Sequence, residues 1–436
     1  VTVHRMGSVL TVAGARTGGE VLEKLAREHA IHGVLRYEDG ILVGEYGELQ
    51  SRKLMLEDAP LALAATKLTD GPSFWDNVVL EVTEFRPGMV KSKILDRLGH
   101  RLVKLSVGPE RVCGDTQATS ISKGLPRLKV LETLELDLSD TTLSNRGAVC
   151  LAEGLRSLPT LQTMKLNLSG SRVAEVGVKA IGDSLRSLKQ LEHLTLDLGH
   201  THVADVGAAA IGAALRTELG RLRALVLCLR RTTVSDAGAV AIGDGLRPLT
   251  LLKTATLGLQ GTKIDDRGAI SIIEGVCNAK QLESLVLGLG DTIVSDDTAA
   301  AFGNECRTLP HIRKISLVLQ STHVCDVGAV PLSEGFRGLQ HLEDVTLDFG
   351  SAAVGDTAAV ALAQRLGDLK QLKRIELYFQ RTPVGNRGVE AIGAGLRELS
   401  HLQEVTLGLR GTAATSQMTA SVRQLLMKPT TSVTVF

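Results

Sequence analysis

The sequence predicts an α/β solenoid, with a parallel sheet on its concave face and helices on its convex face, preceded by a small α+β domain. Segments of the form apolar-x-apolar-x-apolar return at a fixed spacing through most of the 436 residues. Each is followed by a stretch whose apolar residues recur three or four positions apart, the period of an amphipathic helix. Hydrophobic residues make up 44% of the chain but aromatics only 3%, so the core is built from aliphatic side chains, as one repeated packing layer requires.

The strands come first. Leu134-Leu136-Leu138, Met164-Leu166-Leu168, Leu194-Leu196-Leu198, Leu225-Leu227-Leu229 and Ala255-Leu257-Leu259 open the series. Leu285-Leu287-Leu289, Ile315-Leu317-Leu319, Val345-Leu347-Phe349, Ile375-Leu377-Phe379 and Val405-Leu407-Leu409 continue it. The step is 30 residues except for 31 between Leu194 and Leu225, where Thr217-Glu218-Leu219-Gly220 carries one extra. Val103-Leu105-Val107 reads as a degenerate earlier copy, Val78-Leu80-Val82 as a capping strand and Val433-Val435 as a closing one. Alternation of period two means one face of each strand is buried.

The helices are typified by residues 205–215, where Asp205 stands at an expected N-cap. Asn145, Asp236, Asp266, Asp296, Asp326, Asp356 and Asn386 recur there. Gly-Ala follows at 207, 238, 268 and 328, small residues that let neighbouring helices approach. Arg closes many helices, at 156, 186, 216, 247, 307, 337 and 397, where a cation suits the helix C-terminus.

Taken together, LxxLxLxLxxTxVxDxGAxAIGxGLRxL resembles the ribonuclease-inhibitor class of leucine-rich repeats over roughly residues 100–436, in about eleven copies. The resemblance implies protein binding as the mode of action. Two departures stand out. Each copy is somewhat longer than the usual motif, and Thr replaces the usual turn Asn at 141, 201, 232, 262, 292, 322, 382 and 412. A Thr hydroxyl still bonds turn backbone, so a Thr ladder is expected to do the structural work of the class's Asn ladder. Ser171 and Ala352 are irregular rungs.

Residues 1–75 lie outside the repeat, and 76–436 form the solenoid with its caps. Val1–His4 and Val9–Val12 read as paired strands, Thr17–His29 as a helix, and Gly33–Tyr37 with Ile41–Val43 as a hairpin about Asp39-Gly40. That order is similar to a ubiquitin-like β-grasp domain. A small domain capping the open end of the solenoid is the other reading.

Composition narrows the function. A formal charge of +1, from 49 Lys and Arg against 48 Asp and Glu, offers no field to recruit nucleic acid. No apolar run is long enough to span a membrane. No secretory signal precedes the first strand, although the start at Val1 leaves room for a removed targeting peptide. The 6 cysteines show no CxxC pairing, which points to buried free thiols in a reducing intracellular compartment, the cytoplasm or an organelle.

No Walker A, HExxH or GxSxG sequence occurs. His200, His202, His323, His341 and His401 are scattered among positions where other copies carry unrelated residues. Glu135, Asp137 and Asp197 read as solvent-facing strand residues rather than an acid–base or metal group. The chain is therefore expected to be non-enzymatic and to use no cofactor or metal. One or more proteins would be its partners, without nucleic acid and without membrane insertion.

The expected contact surface is the set of residues between the buried ones on ten strands, spanning about 45 Å. From Glu135/Asp137 to Thr406/Gly408 the outer strands carry charge and the middle four carry none. Val226, Cys228, Thr256, Val286, Ser316 and Val318 form the predicted docking centre. Asp197, Arg230, Asp348 and Tyr378 flank it. The role expected is a scaffold or structural subunit. Regulation of an enzyme, of inhibitor or GTPase-activating type, and an adaptor role in ubiquitin-type signalling are alternatives.

Overall fold

The computed structural model describes residues 114–427 and 431–436, and before them the strands between Thr2 and Val107 as backbone. Of the first 75 residues only these strands are described, so the expected helix Thr17–His29 lies outside the described residues, as does Cys113. The chain divides into two units, Val1–Thr201 and His202–Phe436.

In the first unit, β1 (Thr2–Met6) and β2 (Val9–Ala13) form an antiparallel hairpin. A second hairpin joins β3 (Val34–Glu38) to β4 (Ile41–Glu45) across Asp39-Gly40. The strand β5 (Lys53–Leu56) lies between β2, parallel, and β4, antiparallel. From β3 outward every pairing is parallel: β6 (Val78–Val82), β7 (Leu102–Val107), β8 (Thr133–Asp137), β9 (Thr163–Asn167) and β10 (His193–Asp197). The helices Asp115–Gly124, Asn145–Leu155 and Glu175–Leu185 make the crossovers that parallel strands require.

The second unit repeats one strand and one helix throughout. Its strands β11 (Ala224–Cys228), β12 (Thr254–Gly258), β13 (Ser284–Gly288) and β14 (Lys314–Val318) are parallel neighbours. So are β15 (Asp344–Asp348), β16 (Arg374–Tyr378), β17 (Glu404–Gly408) and β18 (Ser432–Val435). In β11 to β17 the second and fourth residues are buried beneath the helices and the third is half-buried on the open face. Phe349 and Phe379 take the third apolar position of their copies and stack at 5.7 Å between ring centroids.

The recurrent Asp does not cap its own helix. Asp205 is the first helical residue, after the N-cap Ala204, and its carboxylate reaches forward to the next copy. There it accepts from the N–H of Ser235 at 2.8 Å, the Ser235 hydroxyl at 2.6 Å and the N–H of Gly238 at 3.0 Å. Asp296 does the same with Cys325 and Gly328, Asp326 with Gly355 and Ala358, and Asp356 with Gly385 and Gly388. Asp115 and Asn145 serve the same function within the first unit. Each carboxylate thus satisfies amides that a helix start leaves without intrahelical partners, one repeat away. Ala and Gly N-caps, unable to cap for themselves, are tolerated for this reason.

The small residue after the Asp has a corresponding cause. A Cβ at Gly268 would sit 2.4 Å from an Asp236 carboxylate oxygen. It would also lie 2.8 Å from the Ala239 Cβ of the preceding helix, so this glycine lets neighbouring helices approach, as does a later one: a Cβ at Gly275 would lie 2.2 Å from the Gly243 carbonyl oxygen.

The Thr row differs from an inter-repeat ladder. Thr262 donates to the Leu259 carbonyl of its own turn at 2.7 Å, and Thr141, Thr232, Thr322, Thr382 and Thr412 make the equivalent bond. The hydroxyl closes each turn locally, and the Asp row makes the bonds between copies. Ala352 keeps only the backbone bond to Phe349.

Burial alone would raise the Asp205 carboxyl, but the bonds from Ser235 and Gly238 outweigh it and hold it below its ordinary value. Asp236 goes the other way. Burial pushes it up, and so does the Asp265 carboxyl that stands where other copies place Ser. A raised carboxyl supplies stability only below its unfolded value and loses it as pH rises through the folded one. Replacing Asp265→Ser should therefore stabilise the protein by about 1 kcal/mol at neutral pH, the usual gain from an improved cap. The gain should vanish in acid; a pH-independent difference in denaturant midpoint would contradict the carboxyl–carboxyl clash. Thr262→Val should cost about 1–2 kcal/mol, the loss of a buried hydrogen-bond partner. An unchanged denaturant midpoint would show that the hydroxyl contributes nothing.

Candidate functional site

Nine of the ten predicted docking residues belong to the second unit, and its register aligns eight of them in two rows. Val226, Thr256, Val286 and Ser316 are successive partners from β11 to β14, continued by Thr346, Glu376 and Thr406. Cys228, Gly258, Gly288, Val318, Asp348, Tyr378 and Gly408 form the second row. Arg230 projects from the exposed turn after β11. Asp197 is on β10 (His193–Asp197), in the first unit.

The valines are less open than their strand positions suggest. Val226, Val286 and Val318 are half-buried, because strands about 4.8 Å apart screen one another's side chains. A Cβ at Gly288 would lie 2.0 Å from the Gln260 side-chain nitrogen, so this amide fills the notch between the valines. Its Oε1 is buried without a hydrogen-bond partner. The centre of the face is therefore a shallow apolar strip with one amide laid across it.

The flanking aspartates are already engaged. Asp197 and Asp348 each accept, at 2.8 Å, from the N–H two residues ahead, Gly199 and Gly350 respectively. Burial pushes Asp348 above its ordinary value. Tyr378 is also raised, by burial and by Glu376, which accepts from the Thr346 hydroxyl at 3.1 Å.

Two clefts lie at opposite edges of this sheet. One, of about 450 Å³, is lined by Lys253, Gln281, Glu283, His311, Arg313 and His341. Its charges neutralise one another: Lys253 pairs with Glu283 at 2.9 Å and Arg313 with Glu343 at 2.7 Å, and Lys373 meets Glu343 at 2.6 Å. The other, of about 510 Å³, lies past the strand ends and includes Asp348, Arg381, Arg410 and Phe436. Arg381 and Arg410 are 29 residues apart in the sequence, and the turn geometry puts them in one cleft.

Other candidates are less organised. Cys277 and Cys306 are buried free thiols, and burial pushes Cys306 up to about 12, whereas Cys150, Cys228 and Cys325 are only half-buried. Glu135 forms an ion pair with Lys165 at 2.8 Å. Among the described residues no group of three His, Cys, Asp or Glu side chains is placed to hold a metal ion, and no helix is long and apolar enough to cross a membrane.

The architecture is that of a leucine-rich-repeat protein, and residues 131–152 and 190–212 match the family model Leucine Rich repeat. Among solved structures, the chain is similar to an internalin (inlF) from Listeria monocytogenes, at 18% identity and a TM-score of 0.43 over 79% of this chain and 89% of that one. It is also similar to a leucine-rich-repeat protein from Leptospira interrogans, at 15% identity and a TM-score of 0.41 over 82% and 89%. No curated protein sequence matches the chain.

The Tyr378 environment gives a direct check on this face. Glu376→Gln removes the negative charge that opposes phenolate formation, so one tyrosine should titrate at lower pH than in the wild type. Absorbance titration at alkaline pH reads this, and an unmoved curve would place Glu376 away from the ring.

Proposed function

We propose that this protein is a non-enzymatic scaffold or subunit that binds another protein on the open sheet face of its second unit. Leucine-rich repeats generally mediate protein–protein interaction, and this sheet face has the form such a role needs. The observation that carries the reading is the register: Val226, Val286 and Val318 fall on three of four consecutive strands with no charge among their row neighbours from β11 to β14. Adjoining apolar groups uncovered by helices mark an interaction surface, whereas scattered ones do not. Charge follows on β15 and β16, where Asp348 and Glu376 occupy the two rows, the arrangement of an apolar centre with polar surroundings common to protein interfaces. Half-burial of the valines fits a partner that lies across the strip rather than inserting deeply. The buried free thiols of Cys277 and Cys306 fit a reducing intracellular setting.

Val286→Glu combined with Val318→Arg tests this. Both side chains lie on the open face, so the thermal melt should stay within a few degrees of wild type. The variant should lose the partner that wild type retains from native extract. Retention at wild-type levels would rule out the centre of the sheet as the docking surface.

A further inference from the structure

We infer that the cleft between the turns after β16 and β17 is a recognition site for a carboxylate side chain, carried by an acidic peptide segment of the partner. This rests on the reading of the sheet face as a protein-binding surface and names the chemistry of one end of it. The cleft, of about 510 Å³, is lined by Arg381, Arg410, Gln320, Gln380, Asp348 and Phe436 among others.

Arg381 and Arg410 stand on neighbouring turns, joined by a backbone bond of 3.0 Å from Arg381 N–H to the Arg410 carbonyl. Arg381 adopts φ 57° and the adjoining Gly411 φ 75°. A Cβ at Gly411 would lie 3.4 Å from Arg381 Cγ, so the arginine stem crosses the glycine. Both arginines are exposed, and no carboxylate pairs with either guanidinium among the described residues. The side-chain amides of Gln320 and Gln380 are likewise without hydrogen-bond partners there.

This distinguishes the cleft from the opposite edge, where Lys253, Arg313 and Lys373 are matched by Glu283 and Glu343. Asp348 is the single acidic residue of the lining, its carboxylate already accepts from Gly350, and burial disfavours its charge. The net character of the cleft is thus that of unspent donors around two fixed cations. Two guanidinium forks match the two oxygens of a carboxylate better than point charges would. Tyr378 and Phe436, with ring centroids 6.3 Å apart, give an apolar wall beside the cations, which suits an aliphatic or aromatic residue next to the acid. The second sheet row leads directly from Val318 through Asp348 to Tyr378, so one extended segment can lie on the apolar strip and place its acid at the turns.

The test is selection of a displayed random dodecapeptide library on the full chain, followed by fluorescence anisotropy with the enriched peptides. Enriched sequences should share an Asp or Glu beside an apolar residue. Replacing that acid by its amide, or changing Arg381→Gln with Arg410→Gln, should each weaken binding at least tenfold, and the two losses should not add. Changing Arg337→Gln with Arg387→Gln alters net charge equally on the helix side and should leave binding unchanged. Unaltered melts of both double variants exclude unfolding as the cause. The inference is overturned if no acidic peptide is enriched, or if the Arg381 and Arg410 variant binds as wild type. It also fails if millimolar inorganic phosphate displaces the peptides completely, which would mark a small-anion site. Peptides that depend on Val286 and Val318 but not on the arginines would sink this inference and leave the sheet-face reading intact. The reverse dependence would do the opposite.

Discussion

The hydrogen bond that each helix start donates to the aspartate of the preceding repeat is the interaction on which each unit depends. A helix begins with amides that have no intrahelical acceptor, and in a solenoid those amides sit beside the preceding helix start. Asp266 meets Ser295 and Thr298, Asp296 meets Cys325 and Gly328, and Asp356 meets Gly385 and Gly388. The bonds are directional and charge-assisted, so they fix the offset between copies, which burial of leucine side chains alone does not. Local turn closure by Thr262 and its equivalents, and the close approach of Gly275 to Gly243, then hold each copy to one shape.

That fixed offset is what gives the sheet face its rows. Because every copy advances by the same register, Val226, Thr256, Val286 and Ser316 line up, and so do Gly288, Val318, Asp348 and Tyr378. A slip of one residue in a strand would turn Leu317 outward and Val318 inward. The proposed docking strip and the arginine cleft at its end are both consequences of this alignment.

Much of the fold was legible because it is periodic. LxLxL segments and the following helical period place every strand from β8 to β17 on the residues named from the sequence. The function of Asp205 was misplaced by one repeat: the sequence displays a row of carboxylates, but not which helix start each faces. The Thr row was legible as turn-bonding, because a hydroxyl three residues from a carbonyl closes its own turn, as Thr262 does with Leu259. The valine strip was readable in position and not in exposure, since screening by Gln260 depends on a glycine in the neighbouring strand. The arginine cleft was least legible, because it requires left-handed turns and the distant Phe436.

The inter-repeat carboxylate bond can be measured at a single amide. In the wild type, Gly328 N–H donates to Asp296 at 2.9 Å, while Ala329 N–H donates to the Cys325 carbonyl within its own helix. Amide hydrogen exchange on Asp296→Ala should show Gly328 and Cys325 exchanging at least tenfold faster, with Ala329 much less affected, and a lower denaturant midpoint. Unchanged protection at Gly328 would show that the preceding aspartate is not its acceptor, and would contradict the account of how the repeats are held in register.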